Sequence, residues 1–211
     1  MLKEFEKRLL SSIILLPIVI FFIIKGSTFF VIFLCILFLV TSYEWFKMSK
    51  KNNLLKFSGI IFLLFSFYST FIIREEDLNI FLFITIICIF TDIGGYMFGK
   101  IFKGPKLNSV SPNKTYAGVI GSFFLSSISA LIFIKYFDSV YIFKTNNLIL
   151  FLMILFISFI SQIGDLIISY FKRKARLKDT GKILPGHGGL LDRIDGFIFV
   201  MPVIYFLQLF K

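Results

Sequence analysis

The sequence is poor in the residues that soluble enzymes most often use for chemistry. It has one histidine, His187, which excludes a metal site built on several imidazoles. Its two cysteines, Cys35 and Cys88, lie far apart and inside apolar runs. They fit small buried hydrophobes better than a disulfide or a thiolate metal pair. Charged residues make up 17% of the chain, against about 25% in a typical soluble domain. No long polar stretch divides the apolar ones and no repeat is visible, so an extramembrane module and a solenoid are both excluded. The apolar content excludes a disordered chain, and the composition excludes a collagen-like or disulfide-rich one. The N-terminus is basic and then apolar, like a signal peptide. No small-residue cleavage site follows and more apolar runs come after it, so a retained first helix is expected.

What the chain does have is apolar length. Of its 211 residues 57% are hydrophobic and 31 are Phe. Runs of about twenty apolar residues suit a helix crossing a bilayer. They lack the alternation of barrel strands, so an all-α, polytopic membrane bundle is expected. Seven segments can be drawn, at about 9–24, 27–46, 57–73, 78–99, 116–136, 147–170 and 194–210.

The net charge of +11 becomes informative once it is sorted by connection. Of 23 Lys and Arg, eighteen fall in the N-terminal tail and the second, fourth and sixth connections, and five on the opposite side. The positive-inside rule then places the N-terminus and the basic loops in the cytoplasm. The second connection, with Lys47, Lys50, Lys51 and Lys56, needs no more than anionic lipid headgroups as partners. The cations flank spans on one side and form no extended basic face, so nucleic acid is not the expected partner.

Acids inside apolar spans are costly and usually face a protein interior or a water-filled cavity. Four are present: Glu44, Asp92, Asp165 and Asp195. Glu44, beside Tyr43 and Trp45, reads as an interfacial acid whose carboxylate snorkels to water. Asp92 lies in TDIGGYMFGK, where Gly94, Gly95 and Gly99 suit close helix packing more often than ligand approach. Asp165 has Ser161 and Ser169 four residues to either side and Lys172 seven residues on, a polar stripe on one helix face that leads towards the sixth connection.

That connection holds the most specific signal. Pro185-Gly186-His187-Gly188-Gly189 must be an irregular turn, and Asp192, Arg193 and Asp195 open the last span. Carboxylates at i and i+3 share a helix face and offer hard oxygens to Mg²⁺. A helix N-terminus favours an anion, and Lys172, Arg173, Lys178 and Arg193 stand around it in sequence. Acids for a metal, cations for phosphate and glycines for close backbone approach together specify phosphoryl or nucleotidyl transfer.

From Ser169 to Asp195 the spacing S-x-x-K-R-x₄-K-D-x₅-P-G-H-G-G-x₂-D-R-x-D resembles the signature of phosphatidate cytidylyltransferases (CDP-diacylglycerol synthases). Gly164-Asp165 extends the likeness. So does KGPKLNSVSPNKTYAG, residues 103–118, which resembles the family's K-L-x-x-x-S-P-x-K-T-x-x-G element, and YEWF at 43–46 is similar to the N-terminal half. With no polar stretch dividing the spans, a single membrane domain over 1–211 is expected. Its N-terminal spans would cover 1–77, and its catalytic half 78–211, with cytoplasmic loops at 100–115 and 171–193.

The resemblance further implies CTP and phosphatidic acid as substrates, CDP-diacylglycerol and pyrophosphate as products, and a bacterial-type inner membrane with the site facing the cytoplasm. It carries metal roles to Asp165, Asp192 and Asp195 with Mg²⁺, room for a second ion, and a homodimer. Ser111, Lys114 and Thr115 become candidates for the CTP phosphates. Lys172, Arg173, Lys178 and Arg193 divide the remaining phosphate contacts. Asp92, Ser169, Gly188 and Gly189 are candidates for lining the substrate site. His187 either donates to a phosphate or braces its turn, and Asp179 orients Lys178 or His187.

Two features depart from the family. Ala117 stands where an acid usually precedes the glycine equivalent to Gly118, and the chain is short, its missing length N-terminal. The rival readings are another CTP-using membrane lipid enzyme of the polyprenol or dolichol kinase type, and a transporter. A transporter would explain intramembrane acids but not the phosphate-type loops, and no inverted repeat is visible.

Overall fold

The computed structural model describes residues 2–49, 52–107, 111, 114–137, 146–184, 186 and 188–209, with side chains placed from residue 13 to 208. Eight helices follow in chain order: α1 Leu2–Lys25, α2 Ser27–Met48, α3 Asn53–Glu76, α4 Leu78–Phe102, α5 Tyr116–Tyr136, α6 Asn147–Lys174, α7 Leu191–Ile194 and α8 Phe197–Leu209. Among the described residues the only strand-like pairings are isolated bridges, Lys106 with Thr115 and Leu184 with Gly188.

Six of the seven expected segments are single helices. Several run on past their apolar part, α4 through Lys100 to Phe102 and α6 through Lys172 to Lys174. Lys and Arg are good helix formers whose stems can lie along apolar surface, so a charged end need not stop the helix. The seventh segment is divided: α7 is one turn, the chain bends at Asp195–Gly196, and α8 begins at Phe197. Helices α2 to α6 are long and apolar enough to cross a membrane, while the apolar stretches Ile13–Lys25 and Phe197–Gln208 are shorter. The chain is a multi-pass helical membrane protein.

Its surface and interior follow membrane rules. Large apolar side chains such as Ile61, Leu64, Ile120 and Leu131 are exposed along the helices, while Thr41, Ser66, Thr91, Ser126, Ser158 and Ser161 are buried. In lipid, small hydroxyl residues let helices approach and pair across the bundle. Thr91 Oγ1 donates to Ser158 Oγ at 2.9 Å and Ser122 Oγ donates to the Thr91 carbonyl at 2.7 Å, joining α4, α5 and α6. The proline in α8 shows the same logic. Pro202 has no N–H for the carbonyl four residues back, that of Ile198. Ser66 Oγ on α3 donates to that carbonyl at 2.8 Å, so the kink-prone site carries no orphan acceptor.

Helices α4 and α5 make the closest contact, backbone against backbone. A Cβ on Gly118 would lie 2.8 Å from the Gly95 carbonyl oxygen, and one on Gly94 would meet the Gly121 carbonyl. At the opposite end of the bundle from the basic loops, Arg74 ties α3 to the turn after α1. Its Nε and Nη2 donate to the Ile23 carbonyl at 3.0 and 2.7 Å, and Nη2 also to Ile24 at 3.1 Å. Glu75 accepts from Arg74 at 2.6 Å and from the Ser27 amide at 3.0 Å.

Candidate active site

The motif residues that line one cavity lie at the end of the bundle where α4 and α6 finish and α5 and α7 begin. Three local devices shape it. Thr115 caps α5, its Oγ1 accepting from the Gly118 amide at 3.1 Å, which points the preceding residue Lys114 back over the bundle. Helix α6 carries Asp165, Ser169 and Lys172 along one face, as their spacing requires. The glycine turn uses positive φ at Gly186 and Gly188, +77° and +87°, where a side chain would be strained.

Between these elements lies a cavity of about 530 Å³. Asp92, Lys114, Thr115, Asp165, Lys172, Asp192, Arg193 and Asp195 line it, together with Thr91, Ser122 and Gln162. Lys114 Nζ sits 2.5 Å from Asp165 Oδ2, and Ser169 Oγ donates to Asp165 Oδ1 at 3.3 Å. Lys172 Nζ sits 2.7 Å from Asp192 Oδ1. Asp192 Oδ2 faces the other way and accepts from the Thr180 amide at 2.8 Å, Thr180 Oγ1 at 3.0 Å and the Gly189 amide at 3.1 Å. Asp195 Oδ1 accepts the Gly196 amide at 3.0 Å.

The remaining expected residues sit elsewhere. Arg173 is exposed and donates to the Leu177 carbonyl at 3.2 Å, at the edge of its own loop. Successive helical residues diverge by about 100°, so Lys172 and Arg173 cannot both face the cavity. Lys178 and Asp179 are exposed on the loop and do not line the cavity; Asp179 packs beside Gly188. Ser111 is near but outside the lining, its carbonyl accepting the Lys114 amide at 3.0 Å. Gly188 and Gly189 shape the turn around Asp192 rather than the cavity wall. His187 lies outside the described residues. Ala117, at the position where an acid was expected, rests against Gly104.

Glu44 corrects the sequence reading. It does not snorkel to water: it is 1% exposed and accepts hydrogen bonds from Thr180 Oγ1 and from the Leu190 and Leu191 amides. Thr180, which lies between it and Asp192, was not singled out at all. The signal in the sequence is the charge itself: an acid near a span end, whose donors come from a connection more than 130 residues away.

The expected Mg²⁺ can be tested against these donors. Four carboxylates line the cavity against three cations, Lys114, Lys172 and Arg193. The bare lining therefore has no surplus positive charge with which to hold a polyphosphate. Among the described residues no three carboxylates, histidines or cysteines converge tightly enough to cage a metal by themselves. Mg²⁺ does not need such a cage, because it commonly takes one or two carboxylates and completes its shell with phosphate oxygens and water. The donor set fits that mode.

The family's sequence profile, described as the cytidylyltransferase family, matches residues 51–210. The chain belongs to that family. It is 32% identical over 207 residues to the phosphatidate cytidylyltransferase of Rickettsia felis, covering 96% of this chain and 91% of that protein. It is 45% identical over 139 residues to the phosphatidate cytidylyltransferase of Staphylococcus aureus, covering 65% of this chain and 51% of that one. The protein of that name from Staphylococcus haemolyticus is 41% identical over the same length. This chain thus spans nearly all of the rickettsial relative and about half the length of the staphylococcal ones. The matched region of the family profile contains every cavity-lining residue.

Proposed function

We propose that the chain transfers the cytidylyl group of CTP to phosphatidic acid, forming CDP-diacylglycerol and pyrophosphate. The observation that carries this reading is one cavity, at the end of a membrane bundle, lined by carboxylates interleaved with Lys114, Lys172 and Arg193. A phosphate oxygen of the lipid bonds to the α-phosphorus of CTP, and the bond from that phosphorus to the bridging oxygen of pyrophosphate breaks. A phosphomonoester is largely dianionic near neutral pH, its second pKa being about 6, so no strong general base is required. The chain's tasks are positioning and neutralisation.

Lys114, on the loop before α5, and Lys172, on α6, approach from different walls and can hold phosphates of the two substrates in line. Arg193 adds a third cation from α7. Asp165 and Asp192 would hold Mg²⁺, with substrate phosphates and water completing its shell, and Asp195 would be within reach of a second ion. When bound, the metal neutralises the triphosphate and stabilises the departing pyrophosphate. The polar lining continues inward through Gln162, Ser122 and Thr91, and the rim includes the exposed Ile93 and Tyr96 of α4. A lipid phosphate at headgroup depth can reach such a site while its acyl chains stay in the bilayer.

Seven spans with a cytoplasmic N-terminus put both loops on the side that holds CTP, in a bacterial-type inner membrane. The family resemblance adds a homodimer. A reporter fused after Lys211 is expected outside the cytoplasm; cytoplasmic reporter activity would refute the seven-span topology. The enzymatic test is product formation by purified protein from CTP, phosphatidic acid and Mg²⁺, with GTP, dATP and a polyprenol as alternative substrates. CDP-diacylglycerol is expected with CTP, with far less turnover of GTP. Phosphorylation of the polyprenol instead would move the chain to the kinase-type reading.

A further inference from the structure

Among the described residues, Glu44 is the one fully buried acid that the chemistry above leaves unused. It comes from α2, ahead of the part of the chain that the family profile matches. Its Oε1 accepts the Leu190 amide at 3.0 Å, and its Oε2 accepts the Leu191 amide at 2.8 Å and Thr180 Oγ1 at 2.9 Å. Among the described residues no Lys or Arg forms an ion pair with it. Burying a carboxylate without a cation is costly unless donors replace its lost water. Here three donors do so, and each belongs to the segment that carries the cavity residues.

The Thr180 hydroxyl lies 2.9 Å from Glu44 and 3.0 Å from Asp192, so its single proton bridges two carboxylates. Asp192 then reaches Lys172 at 2.7 Å, at the cavity. An unbroken path of hydrogen bonds thus runs from α2 through Thr180 and Asp192 to the Lys172 ammonium. The surroundings are cut to fit it. A Cβ on Gly189 would lie 2.8 Å from Glu44 Oε2, and one on Gly181 would collide with Oε1. Glycine at both places lets the carboxylate reach the backbone.

We infer that Glu44 is a positioning residue for the reaction: it fixes the Thr180 hydroxyl and the two amides that open α7, and through them aims Asp192 and Lys172 into the cavity. Packing alone would not call for a charge. An apolar side chain of the same size would leave the Leu190 and Leu191 N–H groups buried without acceptors. Glutamine is no substitute either, because all three partners donate and its NH₂ group would face one of them donor to donor. The role rests on the proposed cytidylyl transfer for its kinetic readout, and on geometry alone for its structural one.

The test uses the full chain in lipid nanodiscs, with Glu44→Gln, Thr180→Val and Thr180→Ser. Glu44→Gln is expected to speed hydrogen exchange in peptides covering residues 178–191 at least tenfold, with α4 and α5 as protected as before. Thr180→Val keeps the shape and removes the bridging proton. Its kcat is expected to fall at least tenfold while KM for CTP stays within threefold, and Thr180→Ser is expected to restore kcat to within threefold. Full turnover by Thr180→Val overturns the inference. So does a loss that Thr180→Ser shares equally, because the methyl group would then be what matters. Unchanged exchange over 178–191 in Glu44→Gln overturns it without reference to activity. If the unsubstituted chain makes no product in the same assay, the function proposal fails while the exchange result still decides the geometry.

Discussion

Asp192→Asn is expected to lower turnover by a factor of about 10³ or more while the protein still inserts and purifies as a folded bundle. The size follows from what each oxygen does. Oδ1 holds the Lys172 ammonium and Oδ2 accepts three donors from Thr180 and Gly189. An amide supplies one acceptor and one donor, so either orientation sets an NH₂ group against a donor, and the lost charge leaves Lys172 without its counterion. If Asp192 also contributes to the metal, that contribution disappears in the same step. A thousandfold fall corresponds to about 4 kcal/mol of transition-state stabilisation. The check is the initial rate with CTP, phosphatidic acid and saturating Mg²⁺, beside a chromatographic profile of the purified variant. Retained activity would remove Asp192 from the site.

Lys114→Met is expected to be nearly as damaging, lowering kcat/KM for CTP about a hundredfold. Methionine keeps much of the stem's volume and loses the ammonium that sits against Asp165. Two roles are then tangled, neutralising Asp165 and binding phosphate, and a double variant separates them. If Lys114 only balanced the acid, Lys114→Met with Asp165→Asn would recover activity, as removing both members of a partly buried pair often does for stability. Because both groups are proposed to act on the triphosphate, the double variant is expected to be no better than the worse single one. Recovery to within tenfold of the unsubstituted chain would reduce the pair to a structural one.

The helices were legible in the sequence because membrane helices must satisfy their own backbone and cannot hide their apolar length. Their ends were less so, since Lys100 and Lys172 to Lys174 continue α4 and α6 although they break the apolar run. The break at Asp195–Gly196 falls at the very start of the last apolar run, after Asp192 and Arg193, where the run offers only Ile194 before it. Within the site, Asp165, Ser169 and Lys172 could be aligned from their spacing on one helix. Lys172 could be separated from Arg173 only once a wall was seen facing the former. The Lys114–Asp165 pair joins the loop before α5 to α6, and the Thr180–Glu44 bond spans 136 residues. No periodicity reports contacts of that range. Gly189 reads as a turn former, and in the fold both it and Gly181 give clearance to a carboxylate from another part of the chain.

The bond between Glu44 and the start of α7 also sets a schedule for synthesis. The acid is made 146 residues before its partner Leu190. At ribosomal rates of about 5–20 residues per second, that interval is roughly 7–30 s. During it α2 must lodge in the membrane with an ionisable group whose eventual donors do not yet exist. Its place near the end of α2 makes the delay tolerable, because a side chain there can stay hydrated until the last connection arrives. The snorkelling posture read from the sequence therefore describes the nascent chain, and the buried one its completion. Closing that contact is among the last long-range steps that the order of synthesis permits, so the cavity acquires its final shape only when the chain is nearly finished.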